Sequence, residues 1–341
     1  MTTLREIEIV GGGLAGLALG LGLRRAGVPA TVYEAGQYPR HRVCGEFIAG
    51  LDEATVTPLG LAPALADAAR LREVTWYFSN GATQRQHLPA PALALSRYAL
   101  DARLVDAFTA AGGRLVTGTR VDPDDAREGR VWTVGRRRAV AAPWLGLKLH
   151  ARGLRLTGEL ELHLGDGGYI GLCPVEDGRV NVCGLFRQRP DVTGQRGTIL
   201  LAYLRAVGLG ALAGRLAAVE ICDESCSAVA GVGFGRGPSD GQLRLGDAWA
   251  MIPPFTGNGM AMAFQGAAHA LGPLVAWAHG ETTWADTVRT ADAALRKIFT
   301  RRLAVASALH PFLFSSKHQR WLAAAARARI LPMRALYHLL H

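Results

Sequence analysis

Cysteine is scarce and odd in number: Cys44, Cys173, Cys183, Cys222 and Cys226, with no C-x-x-C pair. That pattern excludes a disulfide framework and a structural zinc site, and it suits a reducing, cytoplasmic compartment. Lysine is scarcer, confined to Lys148, Lys297 and Lys317. The basic surplus, 38 Lys+Arg over 28 Asp+Glu, is therefore almost wholly arginine, scattered from Arg5 to Arg334. No zinc-finger, RRM or KH signature accompanies it, which sets nucleic acid aside as a partner. Long apolar runs are lacking too. Residues 9–23 are apolar or Gly throughout, but they are short for a bilayer span and have neither a basic leader nor a cleavage site. There is no internal repeat and no low-complexity linker. At 49% hydrophobic and 19% charged, the 341 residues can build two domains, or one large unit with insertions.

Glycine is in excess, 42 residues in all, gathered in two clusters. Residues 5–34 read as a βαβ unit: strand 7–10, helix 14–26 with Gly27 as its C-cap, strand 31–34. A loop covers 38–50, and 51–71 is helical with interruptions at Pro58 and Pro63. Strand 73–78 ends at Asn80-Gly81, a hairpin-type turn. Helix 100–111 closes at Gly112-Gly113 and leads into strand 114–121. Strands near 144–155, 159–164, 168–174 and 179–186, separated by Gly or Asp-Gly turns, read as an antiparallel sheet. One or two helices fill 197–219, strand returns at 242–245, and a long helix spans 258–279. The remainder is helical, with breaks at Pro311 and Pro332. The pattern is α/β with an antiparallel β insertion.

The first cluster holds G-x-G-x-x-G at Gly11, Gly13 and Gly16, between the strand and the helix. Gly11 makes the tight turn, Gly13 lets the backbone approach a pyrophosphate, and Gly16 allows close helix–strand packing. The diphosphate then meets the N–H groups and positive end of the helix. Glu34 ends the second strand, where a carboxylate can accept both ribose hydroxyls of an adenosine. This motif alone does not separate FAD from NAD.

The second cluster runs Leu245-Gly246-Asp247-Ala248, then Pro253-Pro254-Phe255-Thr256-Gly257-Asn258-Gly259-Met260-Ala261. Asp247 ends a strand, so its carboxylate can take a polyol hydroxyl. The backbone of 257–260 offers N–H donors at a helix start, suited to the pyrimidine edge of an isoalloxazine.

The pair of clusters resembles the class A flavoprotein monooxygenase and geranylgeranyl reductase superfamily. Three further segments are similar: Pro39-Arg40-His41-Arg42-Val43-Cys44-Gly45-Glu46 to a P-R-x-K-x-C-G-E loop, Ser96-Arg97-Tyr98-Ala99-Leu100-Asp101 to an R-x-x-L-D segment, and Gly167-Gly168-Tyr169-Ile170-Gly171 to a G-G-Y strand. The resemblance spans roughly residues 5–275. It implies a glutathione-reductase-type Rossmann FAD-binding domain, discontinuous over 1–70, 96–143 and 235–290. An antiparallel β-sheet substrate domain over 71–95 and 144–234 and a C-terminal helical segment over 291–341 complete it. Carried over by residue, it implies FAD contacts at Gly11, Gly13, Ala15, Gly16, Glu34, Arg42, Arg97, Val121, Asp247, Gly257, Asn258, Gly259 and Met260, with Cys44, Pro254 and Gly257 at the reacting face. One segment departs: Val134, in Thr133-Val134-Gly135, stands where the family's D-G motif has Asp. The resemblance therefore supports FAD and leaves NAD(P)H as direct reductant open.

Few acid–base side chains are expected of such an enzyme, because the cofactor carries the hard chemistry. The ten histidines form no ligand set, so no metal site is expected. Cys44 has two readings, a proton donor over the flavin edge or a small residue filling a loop. Glu46 reads as a local ion pair. Trp76, Phe78, Tyr169 and Phe186 lie on sheet strands and serve as a substrate-pocket lining or as ordinary core. Beyond residue 320, Arg320, Arg327, Arg334 and His338 share one helical face, and Ile330, Met333, Tyr337 and Leu340 another. Peripheral membrane contact and packing on the domain both suit that helix.

The leading functional reading is an FAD-dependent monooxygenase that hydroxylates a hydrophobic aromatic or polyketide-like molecule with O₂, via a flavin C4a-hydroperoxide. It rests on the Gly257–Met260 loop. The alternatives are an ene-reductase of isoprenoid double bonds, resting on Cys44-Gly45-Glu46, and a flavin-binding protein without turnover. The W-x-W-x-I-P motif of flavin halogenases is absent; Trp249-Ala250-Met251-Ile252-Pro253 lies in the wrong segment.

Overall fold

The computed structural model describes residues 4–136, 142–327 and 333–340, without the side chains of 325–327 and 333–336. Among these, the strand Ile7–Val10 pairs in parallel with Ala30–Tyr33 on one side and Arg130–Trp132 on the other. Leu243–Arg244 and Arg114–Val116 extend this sheet at either edge, so five parallel strands lie in one layer. Parallel strands need both faces covered, and the buried run of the helix Leu14–Arg25 reflects that. Helices Gly259–Ala278 and Trp284–Leu309 share its core, where Leu17, Leu19, Leu23, Phe264 and Leu295 are almost fully buried.

A second, eight-stranded sheet has the order Glu220–Val232, Trp144–Arg152, Arg179–Arg187, Gly168–Pro174, Leu160–Gly165, Ala69–Tyr77, Thr83–Ala94, Phe47–Ile48. Its far face is covered by helices Ile199–Ala206 and Gly210–Ala217, packed on Leu147, Leu149, Ile170, Val182 and Phe186. Its near face looks back toward the parallel sheet and receives Leu313, Phe314 and Ala323 from the C-terminal helices.

Several expectations are revised. The four strands expected as an antiparallel sheet pair antiparallel, but the wider sheet also holds one parallel pair: Ala69–Tyr77 runs parallel to Leu160–Gly165, with Val74 opposite Leu160. The helix expected over 51–71 contracts to Glu53–Leu59, because Asp52 caps its start and Gly60, in the left-handed region, ends it. Residues 69–71 then begin a strand. The strand expected over 114–121 stops at Val116. Three strands carry no clear sequence signal: Thr83–Ala94, which contains two prolines, the short Arg130–Trp132, and Glu220–Val232, whose pairing breaks between Cys222 and Ser227.

Candidate active site

A cleft of about 2030 Å³ is lined by residues of both sheets. Drug-sized pockets occupy about 300–1,000 Å³, so this one has room for a dinucleotide and a second molecule.

Its first wall is the turn after Val10. Gly11 has φ 109°, and a Cβ there would lie 2.5 Å from the Thr133 carbonyl oxygen. A Cβ on Gly16 would lie 2.1 Å from the Gly11 carbonyl oxygen, so Gly16 is the packing glycine between helix and strand. At Gly13 a Cβ would meet no protein atom within 4 Å and would project into the cleft. The helix Leu14–Arg25 has no side-chain cap on its N–H groups, which leaves them open to an anion.

Glu34 lines the cleft, but its carboxylate is already engaged. Oε2 accepts from Gly12 N at 2.8 Å, and Oε1 accepts from Gly36 N at 2.8 Å and from Arg40 Nη2 at 2.6 Å. Burial alone would push this carboxyl up; the Gly36 N–H, Arg40, Arg42 and the Gly12 N–H together hold it below the ordinary value. Glu34 is therefore not free to take both ribose hydroxyls unaided, since a ribose would share these oxygens with Arg40. The reason is local: the turn at Gly12 folds its own N–H onto the carboxylate.

The second cluster forms the adjoining wall, where a Cβ on Gly246 would lie 3.1 Å from the Ala15 Cβ. Asp247 opens onto the cleft and has no hydrogen-bond or ion-pair partner among the described residues. Asp247 is exposed to the cleft, and the protein packed around that cleft pushes its carboxyl up, against the pull of Arg97 and Arg136. Gly257 takes φ 70°, and a Cβ there would lie 2.4 Å from the Phe47 ring. Asn258 precedes the helix Gly259–Ala278 without capping it: its Oδ1 accepts from no described residue, while its Nδ2 donates to Leu340 O at 2.7 Å. Two helix N-termini without side-chain caps thus open on one cleft.

Between these walls lies a buried charge network. Arg97 donates to Asp101 through Nε at 2.7 Å and Nη2 at 2.8 Å, and Arg42 Nε stands 3.3 Å from the same carboxylate. The two N–H groups of Arg97 Nη1 and the second of Nη2 are not used by Asp101. Glu46 accepts from Arg97 N at 2.9 Å and Lys148 Nζ at 3.0 Å, and its Oε2 lies 2.7 Å from His150 Nε2. Glu46 holds a left-handed backbone, φ 54°, which these partners over-determine. Lys148 Nζ also reaches His41 Nδ1 at 3.3 Å. Burial, Lys148 and His150 lower the His41 ring to about 4, so it is neutral near pH 7 and its Nδ1 accepts from Lys148. Sequence reading missed Lys148. The signal was present: Lys148 and His150 alternate with Leu147 and Leu149 on one strand, so one face is apolar and the other polar.

Cys44 lines the cleft beside this network, and burial pushes its thiol up, leaving it protonated. Asn181 Nδ2 donates to the carbonyls of Cys44 and Gly45 at 3.1 and 2.8 Å, fixing the loop to the second sheet.

Beyond Cys44 the cleft becomes an apolar chamber lined by Trp76, Phe78, Leu162, Tyr169, Leu185 and Phe255. Trp76 Nε1 is buried there without a hydrogen-bond partner among the described residues. Phe186 does not join it. It packs against Tyr203 on the far face, ring centroids 5.4 Å apart, because side chains alternate along Arg179–Arg187 and Leu185 takes the chamber side. Of the other expected site residues, Gly11, Gly13, Ala15, Glu34, Arg42, Arg97, Val121, Asp247, Pro254, Gly257, Gly259 and Met260 line the cleft. Gly16 and Asn258 lie behind its surface as supports. Val134 borders the cleft with half its surface exposed.

No protein-family model matches the chain. Over 143 residues it is 30% identical to the menaquinone reductase of Mycolicibacterium smegmatis. That match covers 38% of this chain and 33% of the relative, so the chain spans about a third of the length of the curated protein it matches. Solved structures align along nearly the whole chain. PqsL of Pseudomonas aeruginosa, described as a probable FAD-dependent monooxygenase, superposes with TM-score 0.71 at 17% identity, covering 93% of this chain and 99% of that one. The p-nitrophenol 4-monooxygenase PnpA of Pseudomonas putida gives 0.72 at 15% identity over 99% of both chains. The flavin-dependent brominase Bmp2 gives 0.73 at 15% identity, over 98% and 93%. At such identities the likeness is one of architecture: the chain shares its fold with these three proteins.

Proposed function

We propose that the chain is an FAD-dependent monooxygenase that hydroxylates a hydrophobic aromatic small molecule. The observation that carries this reading is the unpartnered Asp247 carboxylate, which shares with the open Gly13 turn a cleft also lined by aromatic residues. The residues fit the group: Asp247 can accept a ribityl hydroxyl, the N–H groups after Gly13 can hold the diphosphate, and those at 257–260 can meet the flavin's pyrimidine edge. Bound FAD, once reduced, supplies the electron pair that splits O₂, one atom entering the substrate and the other leaving as water.

The chain's own residues orient and dry the site. Trp76, Phe78, Tyr169 and Leu185 exclude water from the chamber, and the Trp76 indole N–H can orient a polar substituent of the substrate. Lys148 and Glu46 neutralise one another beneath the Cys44 loop, so the chamber floor carries little net charge.

A second reading, reduction of an isoprenoid double bond, is favoured by the partial similarity to a menaquinone reductase and by the protonated Cys44 thiol. Oxygen uptake separates the two. With chemically reduced, FAD-loaded protein and a panel of phenols and polyprenyl quinones, product formed in proportion to O₂ consumed supports hydroxylation. Product formed under strict anaerobiosis overturns it in favour of the reductase. Whether a nicotinamide nucleotide feeds the site directly is tested by anaerobic reduction with NADH and NADPH; with Val134 in place of the acid, we expect slow reduction by either.

A further inference from the structure

We infer that the C-terminal helix Ser316–Arg327 and the turn before it form a docking surface for an anionic phospholipid bilayer, set at the mouth of the apolar chamber. Trp321 is 71% exposed and Phe312 42% exposed. Of the large hydrophobics exposed among the described residues, Val134, Val229 and Phe312 line the cleft, which accounts for them. Trp321 has no such account. It sits on the outer face of the helix with Lys317, His318 and Arg320, and the His318 ring packs 5.0 Å from Phe312.

The inner face is fixed to the protein. Gln319 Nε2 donates to Gly165 O and Leu313 O, both at 2.8 Å, and Ala323 is buried, so the cations and the indole must face outward. After Asp292 the sequence holds nine Lys or Arg and no Asp or Glu. The acid recorded against this helix is Asp166, whose carboxylate accepts from Ser316 N at its first turn. An indole and a phenyl ring among cations match a bilayer interface, where aromatic rings sit at headgroup depth and cations meet anionic lipid. Phe312 and Leu322 belong both to this patch and to the chamber wall, so apolar surface continues from outside to inside. A lipophilic ligand can use that continuity; a nucleic acid cannot. The surface differs from the one expected over 320–341: Leu340 is buried in the core, and residues 328–332 and 341 lie outside the described residues.

Docking goes beyond the proposed reaction, and only its use for substrate uptake rests on that reading. The test is co-sedimentation of the full chain with vesicles of equal parts phosphatidylcholine and phosphatidylglycerol, and with pure phosphatidylcholine. We expect binding to the anionic vesicles alone, weakened by salt, about fivefold by each of Lys317→Ala and Arg320→Ala, and roughly tenfold by Trp321→Ala. FAD retention, measured on the same samples, reports independently on the flavin reading and on folding. No vesicle binding, equal binding to both vesicles, or binding untouched by the three variants overturns the inference. So does duplex DNA binding without vesicle binding, or a dimer that Trp321→Ala dissociates.

Discussion

Lys148 Nζ lies 3.0 Å from Glu46 Oε1, and neither side chain is reached by solvent. Removing one partner of such a pair strands the other charge, at a cost of about 3–5 kcal/mol. Lys148→Met and Glu46→Gln are therefore each expected to lower the unfolding free energy, read from urea titrations, by that much, and Glu46→Gln more, since it also weakens the bonds to His150 and Arg97 N. The double variant should recover part of the loss. Additive losses in the double-mutant cycle would mean that the pair is not coupled.

The two glycines of the first turn should separate fold from ligand. Gly16→Ala places a Cβ 2.1 Å from the Gly11 carbonyl and should destabilise by up to about 3 kcal/mol. Gly13 has φ −85°, which Ala adopts freely, and its Cβ would project into the cleft. Gly13→Ala should cost no more than about 1 kcal/mol of stability, as a weaker N-cap, while sharply reducing FAD affinity. Thermal melts with and without FAD read both effects; a Gly13→Ala protein that binds FAD normally contradicts the assignment of this turn.

Phe186 and Trp76 should behave oppositely although both were candidate pocket residues. Phe186→Ala opens a cavity behind the sheet and should cost about 3–5 kcal/mol with FAD binding unchanged. Trp76→Phe should leave stability nearly intact and weaken binding of a phenolic ligand to the FAD-loaded protein, measured by flavin difference spectra.

Stability should fall on mild acidification. His310 sits among the rings of Trp144, Phe234 and Phe314, and burial lowers it from 6.5 to about 4. The unfolded chain binds this proton near pH 6.5 and the folded one only near pH 4. Its contribution, up to about 3 kcal/mol, is thus full above 6.5 and lost as pH falls toward 4. His41 acts in the same direction over the same window. Urea midpoints across that range should show the slope, and His310→Phe should flatten it.

Much of this site is legible in the sequence because backbone geometry dictates residue type. Gly11, Gly16 and Gly257 each answer a steric or dihedral demand that few other residues meet, Gly13 leaves the cleft open beside the helix start, and Asp247 follows a strand end. Side chains governed by register are harder to read. Phe186 and Leu185 are both apolar, and only the observed pairing of Arg179–Arg187 with its neighbours decides which of them faces the chamber. The strand Glu220–Val232 stayed hidden because its polar run at 223–225 falls where the pairing breaks, so no alternation marks it. Lys148 was visible as a rare lysine, but its partner Glu46 lies about a hundred residues away, and no local pattern links them.

The central claim is that Asp247 and the Gly13 turn hold one FAD. Fluorescence titration of the purified protein with FAD, wild type beside Asp247→Ala, tests it most directly. The account predicts saturation at one FAD per chain, with affinity roughly 10- to 100-fold weaker in the variant, as for a lost hydrogen bond to a charged group. It also predicts that the apo variant is no less stable than wild type, because Asp247 has no protein partner to lose. Failure of the wild-type protein to bind FAD, or an affinity indifferent to Asp247→Ala, would contradict it.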